Sequence, residues 1–165
     1  MQDIQHLRVL IVDDNEDMRT LLRRMLGSIG IKQILEAPDG RAGIEILWQT
    51  ECDVILSDLD MKPMNGIDFT IEVRKSDHSS NSVVPIVMIT GHTELSLVKK
   101  ARDAGITEFI AKPVTAKALQ SRLMQIFEKP RSFVRGRSYV GPDRRRKKVP
   151  GGPSRRQVDG GEPIR

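Results

Sequence analysis

At 165 residues with 38% hydrophobic content, the chain can build the core of one domain together with an appended segment. Its net charge of +5 combines −3 over residues 1–129 with +8 over residues 130–165. No apolar run approaches the roughly 20 residues that cross a bilayer, and residues 1–6 are too polar for a secretory signal. One cysteine permits no internal disulfide, so we expect a cytoplasmic protein without a membrane span.

Strands and helices alternate through residues 1–129. Short apolar runs predict strands, and amphipathic segments between them predict helices. The predicted strands cover residues 7–12, 32–36, 53–57, 85–89 and 108–111. Asp39, Thr93 and Thr115 are the predicted caps of the second, fourth and fifth helices, and Gly105 is the predicted end of the fourth. Five such βα units require a parallel sheet with right-handed crossovers and helices on both faces.

Polar residues follow four of the predicted strands. Asp13 and Asp14 follow the first strand, Asp58 the third, Thr90 the fourth and Lys112 the fifth. In an open α/β sheet, ligands bind beyond the carboxyl ends of the strands. We therefore expect three carboxylates, a hydroxyl and an ammonium group to meet at one edge of the sheet.

This cluster predicts a magnesium site and phosphoryl chemistry. Three neighbouring carboxylates repel one another, and Lys112 supplies only one positive charge. Mg²⁺ prefers oxygen ligands, which the strand-end carboxylates and the backbone carbonyl of Asp60 would provide. A carboxylate beside such an ion can attack phosphorus and form an aspartyl phosphate, while Lys112 neutralises the phosphoryl oxygens and Thr90 hydrogen-bonds one of them.

Over residues 7–129 the chain resembles the receiver domain of two-component response regulators. The matching motifs are Val12-Asp13-Asp14-Asn15-Glu16, Leu56-Ser57-Asp58-Leu59-Asp60-Met61, Met64-Asn65-Gly66, Thr90-Gly91 and Phe109-Ile110-Ala111-Lys112-Pro113. The resemblance implies a flavodoxin-like α/β fold with a five-stranded parallel sheet in the order 2-1-3-4-5. One departure is Lys62, where the family commonly has proline, which here follows at Pro63.

The same resemblance implies the roles of the site residues and the partners. The implied roles are phosphoacceptor for Asp58, Mg²⁺ ligands for Asp13 and Asp14, switch hydroxyl for Thr90, switch aromatic for Phe109 and phosphate-sensing lysine for Lys112. The donor would be a histidine kinase or phosphotransfer protein, and the only catalysis would be autophosphorylation and autodephosphorylation. Phe109 is equally interpreted as a core aromatic.

Two further residues flank the implied phosphate. Asp60 lies two residues after Asp58, and His92 lies two residues after Thr90. We hypothesise that Asp60 and His92 set the lifetime of the phosphoryl group by orienting or repelling the attacking water.

The output is expected to be protein–protein contact. Phosphorylation would draw Thr90 inward and shift the surface formed by residues 93–127, where a downstream target would dock. Members of the family commonly dimerise through this face, and a homodimer is left open. Residues 130–165 are too few and too irregular for an output domain, so the chain resembles a stand-alone, chemotaxis-regulator-like receiver.

Residues 130–165 form a basic tail rich in Gly and Pro. Phe133, Val134, Tyr139 and Val140 favour docking of its first part on the acidic domain, and disorder is predicted from about Val149. Counterion release at the basic run would instead allow the tail to bind nucleic acid or an anionic membrane. We consider nucleic-acid binding the less favoured interpretation, because stacking aromatics in the tail are limited to Phe133 and Tyr139.

Proteins of two different classes share parts of this pattern. Asp58-Leu59-Asp60 also resembles the nucleophile motif of haloacid-dehalogenase-type phosphatases, but no later strand ends in the further acids that such an enzyme needs, and Asp13 and Asp14 would be unexplained. A scaffold protein with a receiver fold that acts without phosphorylation is the second possibility that the sequence leaves open.

Overall fold

The computed structural model describes residues 3–76 and 80–145 and places residues 162–164 as a strand. Through the first 128 residues strands and helices alternate, and every predicted strand lies within one residue of its observed position. The elements are β1 Arg8–Val12, α1 Glu16–Ser28, β2 Gln33–Ala37, α2 Gly40–Gln49, β3 Val54–Asp58, α3 Gly66–Lys75, β4 Ile86–Thr90, α4 Leu95–Ala104, β5 Glu108–Ala111 and α5 Ala116–Glu128. A short 3-10 turn, Ser80–Val83, precedes β4.

The five strands form one parallel sheet in the order β2-β1-β3-β4-β5, which confirms the predicted fold class. The register pairs Val12 with Ser57, Asp58 with Ile89, and Thr90 with Ala111. The carboxyl ends of β1, β3, β4 and β5 are therefore level, and the polar residues at these ends leave the sheet at one edge.

Two apolar layers cover the sheet because alternate strand residues point to opposite faces. Val9 and Ile11 pack with α1 and α5, whereas Leu10 and Val12 pack with α2, α3 and α4. Burial on both faces explains why β1, β3 and β4 are mainly apolar. Across the described residues, no helix is long and apolar enough to cross a bilayer.

Side-chain caps begin four of the five helices. The capping oxygens, each accepting a backbone N–H three residues on, belong to Asn15, Asp39, Asn65 and Thr115. The predicted cap at Thr93 is wrong, because α4 begins at Leu95 and Glu94 occupies the N-cap without a side-chain hydrogen bond. Thr93 therefore lies one residue too early to satisfy the first helical amides. Gly105 ends α4 at a φ of 110°, as predicted.

Residues 131–145, which we call the tail hairpin, contain two antiparallel strands, β6 Phe133–Arg135 and β7 Val140–Pro142. A third strand, β8 Glu162–Ile164, pairs with the other edge of β6. The guanidinium of Arg131 donates to the carbonyl of Thr107 at 3.2 Å, and Arg144 pairs with Asp103 at 3.0 Å. The tail hairpin thus contacts the edge of the sheet opposite the strand-end cluster.

The predicted division at residues 129 and 130 stays a prediction. Of the segment predicted to be disordered from Val149 onward, residues 149–161 and 165 lie outside the described part of the chain.

Candidate functional site

Three carboxylates meet at the carboxyl edge of the sheet, where the sequence predicts them. Oxygen atoms of Asp13, Asp14 and Asp58 all lie within 4.8 Å of one another. Asp13 and Asp58 are buried, with 2% and 6% of their surface exposed, whereas Asp14 is exposed. The cluster is therefore a half-open acidic pocket.

Backbone contacts hold Asp13 in place. Its carboxylate accepts the N–H of Asn15 at 2.9 Å, and its carbonyl accepts a guanidinium N–H of Arg19 at 2.8 Å. Arg19 also lies 3.7 Å from Glu36 on the neighbouring strand β2. Sequence reasoning missed the positioning role of Arg19, because a basic residue on α1 has no local signature that distinguishes it from a solvated one.

The donor set fits a hard divalent cation. Burial raises the pKa of Asp13 above its ordinary value, the nearby acids reinforce this effect, and the N–H of Asn15 opposes it. Ionisation of Asp13 therefore has a cost that a cation between the carboxylates would offset. Clustered carboxylate oxygens are the ligands that Mg²⁺ prefers. The carboxylate of Asp60 is exposed and turned towards His92, so only its backbone carbonyl is a candidate ligand.

Lys112 reaches Asp58 from the end of β5. Its Nζ atom lies 3.0 Å from Oδ1 of Asp58, and its backbone N–H donates to the carbonyl of Thr90 at 3.0 Å. The bond to Thr90 continues the β4–β5 pairing by one residue, which aims the lysine at the pocket. The Lys112–Pro113 peptide bond is cis. The ammonium group of Lys112 therefore places a positive charge beside the buried carboxylate of Asp58.

Thr90 is the last residue of β4 and is 5% exposed. Its Oγ1 atom accepts the backbone N–H of His92 at 3.0 Å. This bond uses an oxygen lone pair and leaves the hydroxyl able to donate to an anion at the strand ends.

Phe109 lies on β5 beside Met88 and is half-buried. Its ring packs against the layer of apolar residues that includes Ala101 of α4. The residue therefore contributes to the core while keeping an exposed part, and it touches the layer beneath α4.

Asp60 and His92 contact each other across the mouth of the site. The Nε2 atom of His92 lies 2.8 Å from Oδ2 of Asp60, and its Nδ1 atom lies 3.5 Å from Glu94. The hydrogen bond to Asp60 raises the pKa of His92 above its ordinary value. The pair links the loop after β3 to the loop after β4. Sequence reasoning singled out both residues but missed their contact and the participation of Glu94.

The loop after Asp58 folds back tightly onto the strand. The N–H of Gly66 donates to the carbonyl of Leu59 at 2.9 Å, and a Cβ at Gly66 would lie 2.2 Å from the carbonyl oxygen of Asp58. Only glycine permits this approach. Within the loop, the Lys62–Pro63 peptide bond is cis.

Comparison with known proteins agrees with this geometry. Residues 9–124 match the response regulator receiver domain family. The chain is 31% identical over 125 residues to chemotaxis protein CheY-3 of Vibrio cholerae, an alignment that covers 76% of this chain and 95% of that protein. It is 30% identical over 123 residues to chemotaxis protein CheY of Pseudomonas aeruginosa, covering 74% of this chain and 98% of that one.

Solved structures show the same fold. The Vibrio cholerae chemotaxis protein CheY4 superimposes with a TM-score of 0.68 at 29% identity, covering 73% of this chain and 98% of that one. The receiver domain of the sensor histidine kinase PA1611 from Pseudomonas aeruginosa superimposes with a TM-score of 0.66 at 26% identity, covering 73% and 96%. That structure has a magnesium ion coordinated in its active-site cleft.

The fold and the acidic pocket define a phosphorelay receiver of two-component signalling. The chain belongs to the response regulator receiver domain family and is similar to CheY-type chemotaxis proteins along most of its length. Receiver domains bind Mg²⁺ at such an acidic pocket, and they interact with kinases or phosphotransfer proteins and with downstream targets. The family match favours this function over a phosphatase, a nucleic-acid-binding protein or a phosphorylation-independent scaffold.

Proposed function

We propose that this protein accepts a phosphoryl group on Asp58 from a histidine kinase or phosphotransfer protein and signals by protein–protein contact. The observation that carries the proposal is the 3.0 Å contact between Lys112 and a buried carboxylate that shares a pocket with Asp13 and Asp14. In the transfer, a carboxylate oxygen of Asp58 forms a bond to phosphorus while the phosphorus–nitrogen bond of the donor histidine breaks. The leaving imidazole keeps the electron pair of that bond.

The surrounding residues have complementary tasks. Asp13, Asp14, Asp58 and the backbone carbonyl of Asp60 would hold Mg²⁺, which would supply positive charge opposite the phosphoryl oxygens. Lys112 would exchange its bond to the Asp58 carboxylate for one to a phosphoryl oxygen. The protein would transform no separate substrate and would catalyse only its own phosphorylation and dephosphorylation.

Thr90 and Phe109 would carry the signal outwards. A phosphoryl group adds a charge of about −1.5 to −2 and new acceptor oxygens beside the Thr90 hydroxyl. Movement of Thr90 towards them would give Phe109 room to turn further inward, and α4 would follow because Phe109 packs against the apolar layer that includes Ala101 of α4. The surface of residues 93–127 is accordingly the proposed docking site for a downstream target or for a second copy of the chain. We also propose a cytoplasmic location, and a receiver over residues 1–129 followed by a basic tail, residues 130–165, of which the first part is docked on the receiver.

The direct test is the intact mass of the native chain after incubation with acetyl phosphate. With Mg²⁺ present we expect a gain of one phosphoryl group, stable in acid and labile in base. With Mg²⁺ replaced by a chelator we expect almost none, because the clustered carboxylates then lack the charge that offsets their repulsion. An equal gain in both conditions would contradict the role proposed for the acidic pocket, and no gain in either would contradict the phosphoacceptor function.

The Asp60–His92 pair is expected to lengthen the life of the phosphoryl group. Because the pair links the loops that follow Asp58 and Thr90, we expect it to restrict the approach of water to Asp58. An Asp60→Asn, His92→Ala double variant should therefore dephosphorylate several-fold faster. The measurement is loss of the phosphorylated mass with time after removal of the donor. Asp68→Asn, His6→Ala serves as a matched surface control, because it makes the same two substitutions at exposed residues outside the site. Equal dephosphorylation rates in the native chain and the Asp60→Asn, His92→Ala variant would contradict the hypothesis.

A further inference from the structure

The tail hairpin completes a groove that is separate from the phosphoacceptor pocket. Helices α3 and α4 form two walls, and residues 137–140 of the tail hairpin form the third. The groove has a volume of about 520 Å³, within the range of roughly 300 to 1,000 Å³ that is typical of ligand sites. None of the residues assigned to the phosphoryl site lines it.

The tail hairpin is held against these helices by close backbone contact. A Cβ at Gly105, the end of α4, would lie 2.6 Å from the carbonyl oxygen of Val140, and one at Gly141 would lie 2.8 Å from Cα of Gly105. Two glycines therefore face each other where the strand crosses the end of the helix. The Tyr139 hydroxyl donates to the carbonyl of Pro142 at 2.7 Å, and Arg144 lies 3.9 Å above the Tyr139 ring. These contacts fix the position of residues 137–140, which form the third wall of the groove.

The walls of the groove combine an apolar surface with a basic rim. Ile67, Ile71, Ala104, Tyr139 and Val140 supply the apolar part. Ile71 lies outside the two packed apolar layers, so its side chain is presented to the groove and not used by the core. Because the Tyr139 hydroxyl already donates a hydrogen bond to Pro142, we expect a ligand to contact Tyr139 through its ring.

Charges around the groove are predominantly positive. Lys75, Lys100 and Arg137 line it, and the guanidinium of Arg74 lies buried beneath it. The acid that lines the groove, Asp103, is already paired with Arg144 of the tail hairpin. Among the residues that the structure describes, the rim is therefore basic, and a ligand that places carboxylates there would gain electrostatic complementarity.

We propose that this groove binds an acidic, amphipathic segment of a partner protein, with one or two large apolar side chains on Ile71 and Tyr139 and flanking carboxylates on Lys75, Lys100 and Arg137. The chain's own residues 146–161 complement the rim poorly, since they contain five Lys and Arg against one Asp. Nucleic acid fits less well, because the groove surface is mainly aliphatic and offers a single aromatic ring for stacking.

The test is to select binders from a random peptide library displayed on phage, using the full unphosphorylated chain as the target. Selected peptides are then synthesised and their Kd is measured by fluorescence anisotropy. We expect sequences in which Asp and Glu flank a large apolar residue. Both a Lys100→Glu, Arg137→Glu double variant and Ile71→Asp should weaken binding by about tenfold or more, through lost charge complementarity and lost apolar contact respectively.

A second pair of charge reversals, at residues outside the groove, serves as the control for net charge. Arg24→Glu, Lys32→Glu changes the charge by the same amount on exposed residues and should leave the Kd unchanged. Thermal unfolding of every variant checks the fold, and Ile71→Ala replaces Ile71→Asp if the latter is destabilised. Because the target is not phosphorylated, the result is independent of the function proposed for Asp58.

Three outcomes would overturn the proposal. The first is selection of peptides that lack acidic residues, or of peptides whose Kd is the same for the native chain and for every groove variant. The second is binding of a duplex DNA or single-stranded RNA probe that the double reversal abolishes and Ile71→Asp leaves intact, which would assign the rim to nucleic acid. The third is self-association that Ile71→Asp removes in sedimentation experiments, which would make a second copy the occupant.

Discussion

Asp58→Asn is expected to take up no phosphoryl group from acetyl phosphate and Mg²⁺, whereas the native chain gains one. The amide keeps the shape of the side chain and can still accept a hydrogen bond from Lys112, which lies 3.0 Å from Oδ1 in the native structure. It lacks the negative charge and the nucleophilic oxygen that the transfer requires. Intact mass spectrometry measures the difference directly.

The same substitution should not weaken the fold. It removes one of three carboxylates whose oxygens lie within 4.8 Å of one another, so repulsion falls in the absence of a cation. The Lys112 side chain is 37% exposed, so water can solvate the ammonium group that loses the negative charge of its partner. We expect a urea midpoint at or above that of the native chain, measured without Mg²⁺.

Asp68→Asn is the matched control, because Asp68 is an exposed acid in the first turn of α3 and lies outside the cluster. It should phosphorylate like the native chain. A phosphoryl group on Asp58→Asn would place the acceptor on another residue, and peptide mapping of the modified chain would locate it.

Arg74→Met is expected to lower the free energy of unfolding by about 2 to 4 kcal/mol, because buried carbonyls lose a charged donor. Arg74 is 2% exposed although it lies on a helix. Its guanidinium donates to the carbonyls of Ser82 at 3.0 Å, Val84 at 2.6 Å and Gly105 at 2.9 and 3.1 Å. The Phe133 ring of the tail hairpin lies 4.9 Å away. Burial lowers the pKa of Arg74 to about 9, so the group is still protonated at neutral pH.

Two opposing effects determine how much the free energy of unfolding falls in Arg74→Met. Methionine avoids the cost of burying a charge, which favours the variant. Three buried carbonyl groups would lose their donor, at about 1 to 3 kcal/mol each, and this larger effect should prevail. Urea unfolding measures the change, and Lys75→Met, on the exposed neighbour, should stay within about 0.5 kcal/mol of the native chain. A loss below about 1 kcal/mol at Arg74 would mean that water replaces the guanidinium and that the tail hairpin does not seal this region.

Local patterns in the sequence were sufficient for most of the receiver. Apolar runs located the strands to within one residue because strands buried on both faces, such as β1, β3 and β4, consist mainly of apolar residues. The juxtaposition of Asp13, Asp58 and Lys112 followed from the rule that parallel strands end at a common edge. The failed cap at Thr93 shows the limit of such patterns, because several polar residues in one loop satisfy the same local preference.

Beyond the strand-end cluster, only the tertiary structure decided which distant residues touch. Asp60 and His92 are 32 residues apart, and their contact depends on how two loops leave the sheet. Nothing in the local sequence distinguishes Arg74 from an exposed arginine on a helix. It is buried because three groups surround it: the carbonyls that precede β4, the carbonyl of Gly105 at the end of α4, and the Phe133 ring of the tail hairpin. Gly105 was recognisable as a helix terminator, but its second constraint, the approach of Val140, was not. Helix caps and strand periods depend on neighbours in sequence, whereas these contacts depend on side chains that folding brings together from remote parts of the chain.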